Sequence, residues 1–425
     1  MAITMLILIN LFTLPGDTLF LDLPGAVDYA LINNPEIRDL ALDLDLSKLK
    51  IDEATADFLP SLTASGYYSY ISYVPVIEYG NVRIQIGQHD NYNVQLSLQQ
   101  VIFTWGRLYD AYRFADIGKK IASLTLARKR QEIRYAVTQS FYGLLVLQEM
   151  VKVTGESYAQ LKRHEDAVRK RYEAGLAVQF ELLRAQVQVA NLKPRLTEVE
   201  NNLLLARNGF QMLLGMPLDQ AFGLTGELGL IDTADYELAD LNDSALANRA
   251  EIRNLENAEK MGQLARTMIG WSNLPSIAAG ATYAYKNPAG LTDNGWGGNL
   301  TLNVGFNWPL FSGFKNLARY RAATVNMKRA RLAVEEVKKA VTIEVKNAYA
   351  TYQAAREASV AARENLDQAD QALVMIDNRY KNGLATNLEY LDVELARMQA
   401  KTNYLNALKD YHTARAAIDR AVGKE

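Results

Sequence analysis

One stretch of this chain occurs twice, and the spacing of the two copies constrains the fold more than composition does. Residues 171–193 read RYEAGLAVQFELLRAQVQVANLK, and residues 379–401 read RYKNGLATNLEYLDVELARMQAK. Each copy carries a helical pattern into a Gly-Leu-Ala turn (Gly175, Leu176, Ala177; Gly383, Leu384, Ala385) and a second helical pattern out of it. Glycine tolerates the left-handed conformation that closes a helix, so each copy predicts the tip of a helical hairpin. The copies lie 208 residues apart, and the same offset relates Phe103-Thr104 to Phe311-Ser312 and Gly215 to Gly423. Upstream the offset is 215: ALINNPEIR (30–38) matches ALANRAEIR (245–253), and Leu59-Pro60-Ser61 matches Leu274-Pro275-Ser276. A loop between Tyr70 and Phe103 is therefore longer in the first copy. Such long-range self-similarity predicts one architectural unit used twice.

Each copy runs through the same series. A helical stretch of about twenty residues (36–57; 250–271) is stopped by Leu-Pro, because proline disfavours helix in the residue before it. Two segments of period-two alternation follow, at about 62–71 and 92–102 in the first copy and about 277–286 and 299–308 in the second. Polar, glycine-containing stretches at 72–91 and 286–298 read as hairpin loops between them. In the last strand Leu300, Leu302, Val304 and Phe306 alternate with Asn299, Thr301, Asn303 and Gly305, so one side is apolar and the other polar. A helical pattern of about 65 residues comes next, on the order of 100 Å long at 1.5 Å per residue, which exceeds any ordinary globular helix. In the second copy Ala330, Val334, Val337, Val341, Val345, Ala348 and Tyr352 recur at threes and fours, a narrow seam of the coiled-coil kind. The returning patterns, 179–214 and 387–422, are shorter, and the proline-stopped helices are placed to stack end to end with them.

The expected organisation is thus an N-terminal apolar segment (1–20), a first repeat (21–215, hairpin tip 171–181), a linker (216–242) that wraps the helices, and a second repeat (243–425, hairpin tip 379–389). The apolar run 3–14 suits the core of a secretory signal, although no Lys or Arg precedes it and no clean small-x-small cleavage site follows; an apolar arm packed on the protein fits it too. No internal run is long and apolar enough to predict a spanning helix.

Four alternating segments of about ten residues suit tilted membrane strands. They cannot close a barrel alone, and an open edge in lipid leaves backbone groups unpaired at several kcal/mol each. Strands of this kind require oligomerisation, and three copies would supply twelve of them.

Other chemistry is thinly represented. A formal net charge of −2 gives no electrostatic case for nucleic acid. The absence of cysteine excludes disulfides and thiolate chemistry. His89, His164 and His412 form no metal-ligand spacing, Gly295-Trp296-Gly297-Gly298 precedes no helix start, and no Gly-x-Ser-x-Gly motif occurs. No catalytic, cofactor or metal site is expected.

The duplicated Pro-Glu-Ile/Ala-Glu-Ile start, the Leu-Pro-Ser before the strand, the Phe-x-x-Gly re-entry and the Tyr-x-x-Gly hairpin tips together resemble the TolC-like outer-membrane efflux protein family, over essentially residues 21–423. The resemblance implies a membrane α+β fold: a homotrimer whose twelve-stranded β-barrel lies in outer-membrane lipid and continues into a periplasmic α-helical barrel. It implies a non-enzymatic exit duct of a tripartite efflux pump or a type I secretion system. Such a duct docks by its tips to a periplasmic adaptor protein and, through it, to an inner-membrane transporter. By position after the tip glycine, the resemblance assigns Glu389, Asp392 and Glu181 to a constricting acidic gate that favours cations, and Tyr380 to its closure. Ordinary charges on a solvated helix face, and simple packing for Tyr380, fit the same residues. Family members that brace the gate with a basic residue carry it where this chain has Ala385 and Thr386. Gly175, Leu176, Ala177, Gly383, Leu384 and Ala385 would meet the adaptor, although a turn requirement explains the glycines equally well. Two other readings are a structural trimeric coiled-coil protein on a small β anchor and the adaptor itself. The doubled strand pair argues against the first, and the two complete repeats against the second.

Overall fold

A computed structural model describes residues 18–80, 82–229, 236–290, 293 and 295–424. The apolar run 3–14 lies outside the described residues. The chain divides into two units: one holds the residues up to Ala41 with Thr125–Ile252 and Val337–Glu425, and the other holds Leu42–Leu124 and Arg253–Glu336.

The first unit is helical. Strand β1 (Leu19–Leu21) pairs in parallel with β6 (Phe222–Leu224), and helix α1 (Leu23–Asn33) follows β1. Asp22 caps α1 by accepting the Gly25 N–H at 2.8 Å. Asn34 then begins α2 (Pro35–Ala56), its Oδ1 accepting the Glu36 N–H at 2.9 Å, with proline preset for the first helical position. Helices α3 (Arg107–Glu173) and α4 (Gln179–Leu214) form one hairpin, and α7 (Lys315–Lys381) and α8 (Asn387–Ala421) the other. The two short helices α5 (Leu238–Asn248) and α6 (Ala250–Trp271) stand in the second repeat where α1 and α2 stand in the first. Helix α5 begins inside the stretch read as linker.

The end-to-end stacking of helices is made by side chains. Asn34 Nδ2 donates to the Leu213 carbonyl at 2.8 Å, so a single amide caps the start of α2 and the end of α4. At the equivalent position of the second copy, Arg249 donates to the Arg420 and Ala421 carbonyls at 3.2 and 3.3 Å. Its guanidinium also meets Glu251 at 3.0 Å and Glu344 at 2.7 Å. Helix carbonyls without an intrahelical partner are satisfied both times, by an amide in one copy and a cation in the other. Around these joints the core is a seam at coiled-coil spacing: Val341, Val345 and Tyr352 of α7 pack with Tyr411, Ala414 and Ile418 of α8.

The second unit carries the sheet. Its strands β2 (Ser61–Tyr70), β5 (Asp90–Phe103), β7 (Ser276–Asn287) and β8 (Gly297–Asn307) are antiparallel in the order β2-β5-β7-β8. Registers Leu62↔Leu98, Leu96↔Tyr283 and Tyr283↔Leu300 align a largely apolar row on one face, while Thr63, Ser97, Thr282 and Thr301 align on the other. Leu300, Leu302, Val304 and Phe306 are all exposed, so no layer among the described residues covers the apolar face. Aromatic rings gather at both ends, with Tyr92, Tyr285 and Trp296 in contact at one and Phe103 with Trp105 at the other. Strands β2 and β8 each have a single neighbour, so both edges of this sheet are open.

Residues 72–91, read from sequence as a loop, contain a further hairpin of β3 (Val76–Tyr79) and β4 (Val82–Gln85). Four-residue strands are too short for their alternation to stand out from a polar surround, and Gly80, with φ of 62°, supplies the turn.

Candidate gate at the hairpin tips

Both tips close by the same backbone device. The Leu176 N–H donates to the Arg171 carbonyl at 2.8 Å and Gly175 takes φ of 74°. The Leu384 N–H donates to the Arg379 carbonyl at 2.8 Å and Gly383 takes φ of 73°. This is the six-to-one bond of a helix terminated by left-handed glycine. Leu176 and Leu384 are exposed on the turns.

The two returning helices start differently. Val178 gives α4 no side-chain cap, whereas Thr386 and Glu389 give α8 a complete capping box. Glu389 Oε2 accepts the Thr386 N–H at 2.7 Å and the Thr386 hydroxyl at 2.9 Å. Those bonds hold the exposed Glu389 carboxyl below its ordinary pKa, so it stays charged. Asp392, one turn on, is exposed and lies 4.0 Å from Arg184 of α4. Glu181 is half-buried, and its backbone carbonyl accepts the Asn387 amide at 3.3 Å.

Tyr380 is held between hairpins. Arg171 Nη1 donates to its hydroxyl at 3.3 Å, and the guanidinium lies 5.8 Å from the ring centroid. The ring also meets His164 at 5.1 Å and Tyr390 at 5.4 Å. Arg171 of the first hairpin is thus a cation in contact with Tyr380, while positions 385 and 386 hold alanine and threonine.

Behind Tyr380 is a polar set that sequence reasoning missed. His164 stacks on Tyr390 at 4.5 Å and its Nε2 bonds the Asn387 side-chain oxygen. Burial pushes the imidazole pKa down, with the bond to Asn387 opposing. Gln160 donates to the Tyr390 hydroxyl at 2.9 Å and to Glu394 Oε2 at 3.0 Å. Glu394 is 1 % exposed, and burial pushes its carboxyl pKa up. The signal was present in the spacing: Asn387, Leu391, Glu394 and Met398 recur at fours and threes, so two polar residues sit on the stripe that Leu391 and Met398 make apolar. These groups bind α3 to α8; among the described residues no group of His, Asp and Glu is gathered to hold a metal.

Comparison with known proteins decides the family. The model for "Outer membrane efflux protein" matches residues 26–216 and 241–424. The chain belongs to the outer membrane efflux protein family. TolC of Escherichia coli (strain K12) is 22 % identical over 422 residues, covering 93 % of this chain and 80 % of that one. Alkaline protease secretion protein AprF of Pseudomonas aeruginosa is 24 % identical, covering 78 % and 69 %. The solved CmeC outer membrane channel of Campylobacter jejuni superposes with a TM-score of 0.79 at 16 % identity, covering 94 % of this chain and 85 % of that one. The efflux-protein family and this fold place the chain in the outer membrane of a Gram-negative envelope with a periplasmic extension, as an efflux channel, which disfavours the coiled-coil anchor reading.

Proposed function

We propose that three copies of this chain close into a twelve-stranded outer-membrane barrel continued by a periplasmic helical barrel. The assembly serves as the passive exit duct of a tripartite efflux pump or type I secretion system. The observation that carries this reading is the four-stranded sheet with one predominantly apolar face, aromatic ends and two open edges. Joining β2 of one copy to β8 of the next satisfies both edges, which lipid would otherwise penalise by several kcal/mol per unpaired group. Helix α4 supports the same closure: it buries Ala185, Val189, Leu192 and Leu196 within its own chain and leaves Phe180, Leu183 and Val187 exposed at i, i+3 and i+7. A helix with two apolar seams has a neighbour on each side, as in the wall of a tube.

Since the chain has no cysteine, the closure is directly testable. Cysteines introduced in pairs, one on the outer edge of β2 and one on that of β8 in the same chain, then oxidised in membranes, are expected to give covalent trimers at matching registers and nothing larger. Dimers alone, or a ladder beyond three, would overturn threefold closure.

In this reading Glu389, Asp392 and Glu181 line the periplasmic constriction, Tyr380 pinned by Arg171 closes it, and the residues 175–177 and 383–385 meet a periplasmic adaptor that joins an inner-membrane transporter. Rings of like carboxylates favour cations. Replacing both Glu389 and Asp392 with Ala is expected to lower the cation-to-anion permeability ratio in planar bilayers several-fold. Asp392→Ala isolates the ring from the helix cap, because only Glu389 belongs to the capping box. An unchanged reversal potential in both variants would remove these residues from the pore lining.

A further inference from the structure

A cavity of about 350 Å³ opens where α1, α3 and α8 meet in the helical unit, and no hairpin-tip residue lines it. Helix α3 presents Arg134, Thr138 and Tyr142 to it at i, i+4 and i+8, and α8 presents His412 and Arg415. The first turn of α1, with Leu23 and Pro24, forms a third wall. The Asp22 carboxylate already caps that turn, and Asp28 and Asp419 also border the cavity, with Arg134, Arg415, Arg420 and Lys424 outnumbering them.

The cations along the cavity are not equivalent. Arg420 is engaged by Glu344 at 3.1 Å and lies over Tyr135, and Lys424 meets Asp419 at 3.5 Å. Arg134 and Arg415 have no carboxylate partner among the described residues. Tyr142 is almost wholly buried, with its ring held flat on His412 at a centroid distance of 4.0 Å and an interplanar angle of 5°. His412 is itself fixed through Nε2 to the Gly229 carbonyl at 2.9 Å. The Tyr142 hydroxyl is thus rigidly aimed and has no bonded partner among the described residues. Burial pushes its pKa up while the charge of Arg415, which lines the same cavity, pulls it back.

We propose that this cavity binds a small organic oxyanion, a carboxylate or a phosphate ester, held by Arg415 and Arg134 and hydrogen-bonded by Tyr142. A guanidinium presents paired donors matched to either oxyanion, and a fixed phenol adds direction. The apolar walls, Leu23, Pro24 and Val27 of α1, accept the ligand's carbon frame. The site is independent of the gate and of threefold closure.

Calorimetric titration of the full chain in detergent, with citrate and with glycerol 3-phosphate as separate probes, tests it. Saturable binding of at least one probe is expected. Preference for citrate assigns a carboxylate ligand, and preference for glycerol 3-phosphate assigns a phosphate ester. Arg415→Gln is expected to weaken binding at least tenfold, and Arg134→Gln with Arg415→Gln to abolish it, with bilayer conductance unchanged. Tyr142→Phe keeps the buried stack on His412 and is expected to weaken binding about threefold to tenfold. It also serves as the deciding variant should the double replacement fail to fold. Absence of saturable binding by both probes, or equal affinity in wild type and Tyr142→Phe together with Arg134→Gln, would overturn the site.

Discussion

Leu302→Arg is expected to abolish insertion of the protein into lipid, while Thr301→Arg, one residue earlier, is expected to insert. Leu302 is the central residue of β8, pairs with Ala281 and lies on the apolar face; Thr301 points to the opposite, polar face. An arginine facing lipid at the bilayer midplane costs about 2–4 kcal/mol per site, and a threefold assembly would incur it three times. A total on the order of 10 kcal/mol is comparable to the entire stability of an ordinary domain. The measurement is the folded fraction recovered in lipid vesicles together with single-channel conductance. Equal insertion of the two variants would mean that this face does not meet hydrocarbon.

Arg249→Met is expected to lower the stability of the helical unit by on the order of 3 kcal/mol, the lower end of the cost of removing one partner from a buried ion pair. The lower end applies because Glu251 and Glu344 remain 25 % and 32 % exposed and can recover some hydration. Two further losses are built into the change: the Arg420 and Ala421 carbonyls lose a donor, and Glu344 keeps only Arg420. Asn34→Ala at the equivalent joint removes an uncharged cap and is expected to cost about 1 kcal/mol. Denaturant midpoints in detergent, followed by far-ultraviolet circular dichroism, separate the two. A smaller effect at Arg249 than at Asn34 would show that the second joint holds without its cation.

Much of the architecture was legible because the chain states it twice. Leu59-Pro60 and Leu274-Pro275 stop helices at Ala56 and Trp271, and the glycines at 175 and 383 take the left-handed conformation that the turn requires. The 67 residues each of α3 and α7 agree with the uninterrupted helical pattern. The β3–β4 hairpin escaped notice because four residues are too few for periodicity to declare itself. The polar set behind Tyr380 was hidden for another reason. Glu394 and Asn387 look like surface residues until the stripe through Leu391 and Met398 is traced, and their partners Gln160 and His164 lie more than 220 positions away. The contact of Arg171 with Tyr380 is likewise one across hairpins that no local pattern encodes.

The two bare flanks of the sheet have a consequence for how the molecule comes into being. A solitary copy gains little by entering hydrocarbon, since each flank would carry its unsatisfied amides and carbonyls with it. In the proposed threefold closure entry and partnership are one event, and its yield should climb steeply with the amount of chain present rather than in proportion to it. Copies that arrive alone must be kept from sticking flank to flank until their neighbours appear.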